Sequence, residues 1–247
     1  MPRYRLTIEY DGTGLCGWQR QANGPTVQQA VETAVTKFCG ERVVVFGGGR
    51  TDAGVHALAQ TAHLDVRRET SAEVLRSALN HHLRPLAISV LAAEPVPAEF
   101  DARLSAVERV YRYRILNRRA PPAVERRRVW HVAPPLDAAA MQKAAAHLVG
   151  RHDFSTFRDA LCQARSPVKT LDSLEIARVG DEIHIEARAR SFLHHQVRNI
   201  AGTLQLVGIG RWPQERVVAA LAARDRRAGG PTAPPEGLYL VAICYRS

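Results

Sequence analysis

The hydrophobic residues alternate between the two-residue period of a strand and the 3.6-residue period of a helix, which limits the folds open to this chain. In the first hundred residues the two patterns follow the order β-α-β-β-α-β. Thr26 and Ser71 stand where the N-cap residues of the two helices are expected. The predicted strands are 3–10, 42–46, 61–66 and 88–93, and the predicted helices are 26–39 and 71–83.

Similar patterns recur in the rest of the chain, with Asp137 as a helix N-cap. The order indicates an α+β fold of two ferredoxin-like β-α-β-β-α-β halves, with antiparallel or mixed sheets joined around a central cleft. The expected halves are 1–104 and 105–247. The predicted strands here are 107–116, 171–179, 182–190 and 240–245, and the predicted helices are 137–148, 193–207 and 213–223.

The charge balance favours a nucleic-acid partner. The chain has 34 basic and 24 acidic residues, a net charge of +10, and only three of its basic residues are lysines. A positive field attracts polyanions, and arginine adds bidentate phosphate contacts and stacking on bases. The Pro- and Arg-rich segment 118–128 is the densest basic cluster, so we predict that a polyanion neutralises it. Its arginines are Arg118, Arg119, Arg126, Arg127 and Arg128.

The sequence shows no signal peptide, no membrane-length apolar run and no paired cysteines, so we expect a cytoplasmic protein. The histidines lack metal-ligand spacing, and the prediction is that no metal is bound. His194 and His195 are adjacent on a predicted helix, so we expect their side chains to point to different faces.

The segment from Gly47 to Gly54 is the most unusual in the chain. Three glycines follow a predicted strand and lead into Arg50, Thr51 and Asp52. Glycine allows close approach of the backbone to a ligand, and a neighbouring arginine favours the ionised carboxylate. The arrangement suits a nucleophile or a general base, although a simple turn with a solvated arginine would use the same residues. The glycine spacing fits neither a P-loop nor a dinucleotide-binding fingerprint.

Segments 10–21, 49–57, 109–113, 191–203 and 233–240 are five distinct motifs. They resemble those of TruA-type tRNA pseudouridine synthases, in that family's order and over nearly the whole chain. The third motif begins at Arg109, and Gln196 and Glu236 are small departures from the usual residues.

The resemblance implies the pseudouridine synthase fold, an enzyme without metal or organic cofactor, a homodimer, and action on uridines 38, 39 and 40 of the tRNA anticodon stem-loop. Asp52 would be the catalytic residue, Arg50 would help to extrude the target nucleotide, and Tyr111 would pack on its uracil.

Further site residues are hypotheses of the same analysis. Substrate contact is predicted for Leu193 and for Arg198, which we expect to pair with Asp52 because an arginine in an apolar helix needs a partner. Trp18 lies in a glycine-bounded loop and is expected to be exposed. RNA contact is predicted for Trp18, Gln19, His56, His194 and His195, in addition to the five arginines of segment 118–128.

Pseudouridylation needs no external reagent, because the N1–C1′ bond of uridine breaks and a C5–C1′ bond forms with the same atoms. The carboxylate could act at C1′, add at C6, or remove a sugar proton, and the sequence does not choose among these routes. The alternatives are a non-catalytic RNA-binding module, and a nuclease or deaminase, which would need metal ligands that the spacing does not provide.

Overall fold

The computed structural model describes residues 1–246, which divide into two compact units. The first unit consists of Met1–Arg109 and the chain from Tyr239 onward, and the second is Val110–Leu238. The predicted halves, 1–104 and 105–247, differ from this division mainly because the final strand joins the first unit. The physical reason is strand pairing, since Tyr239 and Leu240 pair in parallel with His56 and Ala57.

The first unit is a mixed sheet with two helices. The elements are β1 Arg3–Tyr10, α1 Val27–Cys39, β2 Phe46–Gly47, β3 His56–Asp65, α2 Ala72–Leu83, β4 Ile88–Val96 and β11 Leu238–Tyr245. The central strand β1 pairs antiparallel with β3 on one side and β4 on the other. The strand order is β4-β1-β3-β11, and the short β2 pairs with β3.

Local sequence explains these elements. Alternate residues of β1 are buried, and Val27, Val31 and Val35 line one face of α1. The predicted caps are confirmed, because Thr26 Oγ1 accepts a hydrogen bond from the Gln29 N–H and Ser71 Oγ accepts one from the Val74 N–H.

The predicted strand at 42–46 is wrong for most of its length, because only β2 is extended there. Helix α1 provides partners that a neighbouring strand would otherwise supply. The Val45 N–H donates to the Glu32 carboxylate over 3.1 Å, and Gln28 Nε2 donates to the Val45 carbonyl oxygen over 3.1 Å. Val45, within the β-branched segment 42–46, therefore forms hydrogen bonds with side chains of α1 and not with a neighbouring strand.

The second unit begins within strand β5, Ala106–Leu116, whose first residues belong to the first unit. The other elements are β6 Trp130–His131, α3 Ala138–Ala146, β7 Gly150–Asp153, β8 Val168–Leu171, β9 Ser173–Val179, β10 Glu182–Ala189, α4 Gln196–Gly208 and α5 Gln214–Ala223. The strands form a sheet of order β5-β10-β9, with β6 parallel to β5, and a separate antiparallel pair, β7-β8. Asp137 caps α3, as predicted.

The predicted α+β class is confirmed, with mixed strand pairing and five α-helices among residues 1–246. The β-α-β-β-α-β order is present in the first unit, while the second unit adds β6, β7 and β8 to the expected elements. None of the helices in this described part of the chain combines the length and the apolarity that a membrane span requires.

Candidate functional site

The three glycines before Asp52 lie in a crowded and firmly bonded segment. The Gly48 N–H donates to the Thr61 carbonyl oxygen over 2.7 Å, and the side-chain amide of Gln60 bonds both the N–H and the carbonyl oxygen of Gly49. Buried Arg109 donates to the Gly48 carbonyl oxygen from Nε over 3.1 Å and from Nη2 over 2.7 Å. These hydrogen bonds fix the backbone of Gly48 and Gly49, where the loop that leads to Asp52 begins.

Thr51 fixes the backbone next to Asp52 through both its side chain and its carbonyl group. The Thr51 hydroxyl lies 2.8 Å from the Tyr10 hydroxyl, and the Thr51 carbonyl oxygen accepts the Trp18 N–H over 3.1 Å. Burial raises the pKa of Tyr10 to about 12, so this phenol stays protonated and can donate at neutral pH. Asp52 is half-buried, while Arg50 is exposed.

Gly17 packs directly against the loop that carries Thr51 and Asp52. Its φ is +81°, and a Cβ there would collide with the Thr51 carbonyl oxygen and stand 2.9 Å from the Asp52 carbonyl carbon. Only glycine combines a left-handed backbone with such a close approach. The first motif and the aspartate motif are therefore packed backbone to backbone.

The expectation that Trp18 is exposed is wrong. Its side chain is 1% exposed, and its indole occupies the space where a side chain at Gly47 would lie. A buried indole cannot stack on RNA, so Trp18 supports the glycine segment instead. Its neighbour Gln19 is exposed, donates from Nε2 to Gln28 Oε1 over 2.8 Å, and stays a predicted RNA contact.

His56 is also buried, at 2% exposure, which contradicts the RNA contact assigned to it. Its Nδ1 accepts the Gly12 N–H over 3.0 Å and lies 3.1 Å from Asp11 Oδ1. The imidazole stacks on Tyr239 with ring centroids 4.7 Å apart. His56 thus joins the first motif to β11 inside the first unit.

In the second unit, Tyr111 lies on the buried face of β5 and is 8% exposed. Its ring is nearly perpendicular to that of Phe192, at 85° and a centroid distance of 5.2 Å. Tyr113, two residues further along the same face, is fully buried and donates to the Pro234 carbonyl oxygen over 2.7 Å. Burial, followed by the negative charge of Glu236, raises the Tyr113 pKa well above its usual value, so this donor keeps its proton.

The prediction that His194 and His195 point to different faces is wrong. Helix α4 begins only at Gln196, because His195 has a left-handed backbone with φ 61°. The two imidazoles lie with centroids 3.9 Å apart, and both approach Asp159. The His195 Nδ1 is 2.8 Å from Asp159 Oδ2, and the His194 Nδ1 is 3.5 Å from Asp159 Oδ1.

Sequence analysis missed Asp159, since a single aspartate 32 residues before motif 191–203 carries no local signal. Burial alone would raise the pKa of Asp159, but the Leu161 N–H, the His195 hydrogen bond and nearby positive charge lower it below its usual value. An ionised Asp159 therefore orients the histidine pair at the start of α4.

Leu193 is 4% exposed, and the side chain of Gln196 accepts its N–H over 2.8 Å. Gln196, a departure from the family pattern, is itself 1% exposed, and the N-cap residue of α4 is His195, whose side chain makes no capping hydrogen bond. Arg198 follows on α4 as a half-buried residue, and its Nε donates to the Ala233 carbonyl oxygen over 2.8 Å. The predicted pairing of Arg198 with Asp52 stays a prediction.

All five arginines of segment 118–128 are exposed, as an RNA-binding role requires. Arg118 forms a 3.3 Å ion pair with Asp181, which itself is largely exposed. Glu125 forms an ion pair with Arg114 over 3.1 Å, and its carbonyl oxygen accepts the Arg128 N–H over 3.0 Å. The segment is thus anchored at its middle, with a basic surface on either side.

The family model for "tRNA pseudouridine synthase" matches residues 6–104 and 144–246. The chain belongs to this tRNA pseudouridine synthase family, and it is an isomerase that acts on tRNA.

A protein of Rhodospirillum rubrum named tRNA pseudouridine synthase A is 63% identical to the chain, over 99% of this chain and 88% of that protein. A protein of the same name from Rhodospirillum centenum is 60% identical, over 99% and 100% of the two chains. The crystal structure of a Cbf5–Nop10–Gar1 complex matches 82% of this chain and 45% of that one, at 12% identity. The TM-score of this match is 0.36.

Proposed function

We propose that this enzyme converts uridines 38, 39 and 40 of the tRNA anticodon stem-loop to pseudouridine, with Asp52 as the catalytic carboxylate. The family membership supports the reaction class, and the resemblance of the five motifs to TruA-type enzymes implies these positions. The observation that carries the catalytic assignment is the support of the Asp52 loop. Buried Thr51, the close approach of Gly17 and the bonds of Arg109 to Gly48 together hold a half-buried carboxylate at a defined place.

The proposed reaction begins when the target nucleotide leaves its stack, which costs a few kcal/mol. Arg50, which is exposed, occupies the vacated position, and Tyr111 packs on the uracil, for about 1–3 kcal/mol of stacking. The carboxylate of Asp52 then acts at C1′, at C6 or on a sugar proton while the N1–C1′ bond breaks. The base then rotates and the C5–C1′ bond forms. C5 loses its proton and N1 gains one, so the product is an isomer of the substrate.

The RNA surface of this proposal includes Gln19, His194, His195 and the arginines of segment 118–128. Buried Trp18 and His56 are no longer part of it. In the same proposal the enzyme is a cytoplasmic homodimer that needs neither metal nor organic cofactor. Light scattering of the purified protein at micromolar concentration would reveal a monomer if the proposed oligomer is wrong.

The decisive experiment maps pseudouridine in unmodified tRNA transcripts after incubation with the purified protein alone. Transcripts with uridine at only one of positions 38, 39 and 40 should each be modified at that uridine, and a transcript with cytidine at all three should stay unmodified. A metal chelator should leave turnover unchanged. Modification elsewhere in the tRNA would refute the site, and tRNA binding without any product would favour a non-catalytic module.

A further inference from the structure

Residues 230–234 cross α4 of the second unit without helix or strand structure, and we call them the strap. The Arg198 Nε donates to the Ala233 carbonyl oxygen over 2.8 Å, and the Ala233 N–H donates back to the Arg198 carbonyl oxygen over 3.1 Å. Both the backbone and the side chain of Arg198 are therefore bonded to one residue of the strap.

A partly buried polar network bonds the strap to Asn199, the next residue of α4. The Thr232 hydroxyl donates to Asn199 Oδ1 over 2.6 Å, and Arg226 Nη2 donates to both of these oxygens over 3.0 Å. Arg226 Nη1 also donates to the Gly230 carbonyl oxygen over 2.8 Å. Asn199, at 1% exposure, uses its amide N–H to bond the Phe157 carbonyl oxygen, so its orientation is fixed from the other side.

The next turn of α4 is shaped to receive the same strap. The Thr203 hydroxyl accepts the Gly230 N–H over 2.9 Å while donating to the Asn199 carbonyl oxygen over 2.7 Å. A Cβ at Gly202 would collide with the Pro231 carbonyl oxygen and stand 2.9 Å from its carbonyl carbon. The residues that follow Arg198 in motif 191–203 thus contact the strap.

We propose that the strap and the Asn199–Thr232–Arg226 network form a positioning device for the Arg198 guanidinium. A long flexible side chain loses conformational entropy when it binds a ligand. The hydrogen bond from Arg198 Nε to the Ala233 carbonyl oxygen orders this side chain before the substrate binds, so less entropy is lost on binding. Asn199, Thr232 and Arg226 are positioning residues that act through Arg198. This inference rests on the proposed function, in which Arg198 contacts the substrate.

The test is a double-mutant cycle between Thr232→Val and Arg198→Lys, measured as single-turnover pseudouridine formation with saturating enzyme. Thr232→Val keeps the side-chain shape and removes the hydroxyl that joins Asn199 to Arg226. We expect the rate to fall about 10-fold in the wild-type background, because small displacements of a positioning group are costly to catalysis. In the Arg198→Lys background the same substitution should have no further effect.

Thr33→Val is the matched control, because it removes an exposed threonine hydroxyl bonded to one carbonyl oxygen of α1. It should leave the rate unchanged. Gly202→Ala gives a second variant, since alanine favours the helix but displaces Pro231. Its rate should also fall only when Arg198 is present.

Equal rate losses from Thr232→Val in both backgrounds would overturn the inference and leave a purely structural strap. An unchanged rate in Arg198→Lys would overturn it as well, because there would be no role for the device to support. Failure of the proposed function is seen separately, as wild-type protein that leaves uridines 38 to 40 unmodified.

Discussion

Backbone contacts hold the loop that carries Asp52. Gly17 touches the backbone of Thr51 and Asp52, and the Trp18 N–H bonds the Thr51 carbonyl oxygen. Two motifs more than thirty residues apart therefore form one structural unit around the carboxylate. Substitutions can separate the chemical role of Asp52 from the role of this support.

Asp52→Asn keeps the size of the side chain and removes its charge, so we expect single-turnover pseudouridine formation to fall by more than about 100-fold. The affinity for tRNA, measured by filter binding, should stay within a few-fold of the wild-type value. The control is Asp172→Asn, which changes an exposed aspartate of the second unit. Turnover of the Asp52 variant near one percent of wild type or above would argue against an essential carboxylate.

Gly17→Ala and Gly14→Ala form a matched pair, because both glycines have a left-handed φ, +81° and +77°, but only Gly17 has backbone atoms where a Cβ would go. Gly14→Ala should cost about 1–2 kcal/mol of backbone strain and leave the turnover rate intact. Gly17→Ala should cost more and reduce turnover, because the Asp52 loop must move.

Urea unfolding would measure the stability difference of this pair, and single-turnover kinetics the rate difference. Equal turnover in the two alanine variants would mean that the Gly17 contact does not determine the position of the carboxylate.

For single residues, the sequence suggests site candidates but does not show whether each side chain is buried or exposed. The motif resemblance gave Asp52 and Tyr111 as site candidates, and the position of Arg198 in an apolar helix gave a third. Trp18 and His56, in contrast, lie inside the first unit. A tryptophan in a glycine-rich loop is compatible with either location. The deciding contacts, with Gly47 and with Tyr239, come from residues far along the chain.

Among the secondary-structure elements, helix α1 shows how side chains can replace a strand. The Glu32 carboxylate accepts the Val45 N–H and a hydrogen bond from Gln28, and forms an ion pair with Arg20. Segment 41–45 therefore stays close to the helix, immediately before the glycines that precede Asp52. Hydrophobic periodicity could not predict this, because the strand pattern was present and only its partner differed.

Glu32→Ala should weaken the protection of this segment by about 1–3 kcal/mol, the usual cost of leaving a buried donor without its acceptor. Hydrogen–deuterium exchange of peptides covering residues 41–46 would then accelerate by about tenfold or more. Glu69→Ala removes an exposed glutamate and should leave the exchange rate as it is. If the two variants exchange alike, the carboxylate does not hold the segment.

For the molecule as a whole, the net charge of +10 provides long-range attraction to tRNA. The exposed arginines of segment 118–128 concentrate that charge in the second unit. Dispersed charge and a local cluster should affect the salt dependence of tRNA affinity differently, because only phosphates that are contacted directly release their counterions.

Changing Arg119, Arg126 and Arg127 to glutamine should weaken tRNA binding and reduce the slope of log affinity against log salt, by up to about 0.7–0.9 for each lost phosphate contact. The control changes the same net charge at dispersed exposed sites, Arg42, Arg151 and Arg216. It should lower the affinity slightly and keep the slope. An unchanged slope in the cluster variant would exclude segment 118–128 from the RNA interface.

The fold class, the five main helices and the three helix caps were predictable because periodicity and capping are local. The division of the chain was less so, because the pairing of β11 with β3 joins residues nearly two hundred positions apart. The sequence also lacked any local sign of β7 and β8, which pair only with each other.

The return of β11 to the first unit has a consequence for synthesis. A ribosome makes residues 1–109 long before Tyr239, so the neighbour of His56 is missing while the whole second unit emerges and folds. The nascent enzyme holds its aspartate motif with an open sheet edge until that late strand arrives. A chain that stops before residue 239 would keep the sequence GRTD but would lack the pairing of Tyr239 and Leu240 with His56 and Ala57.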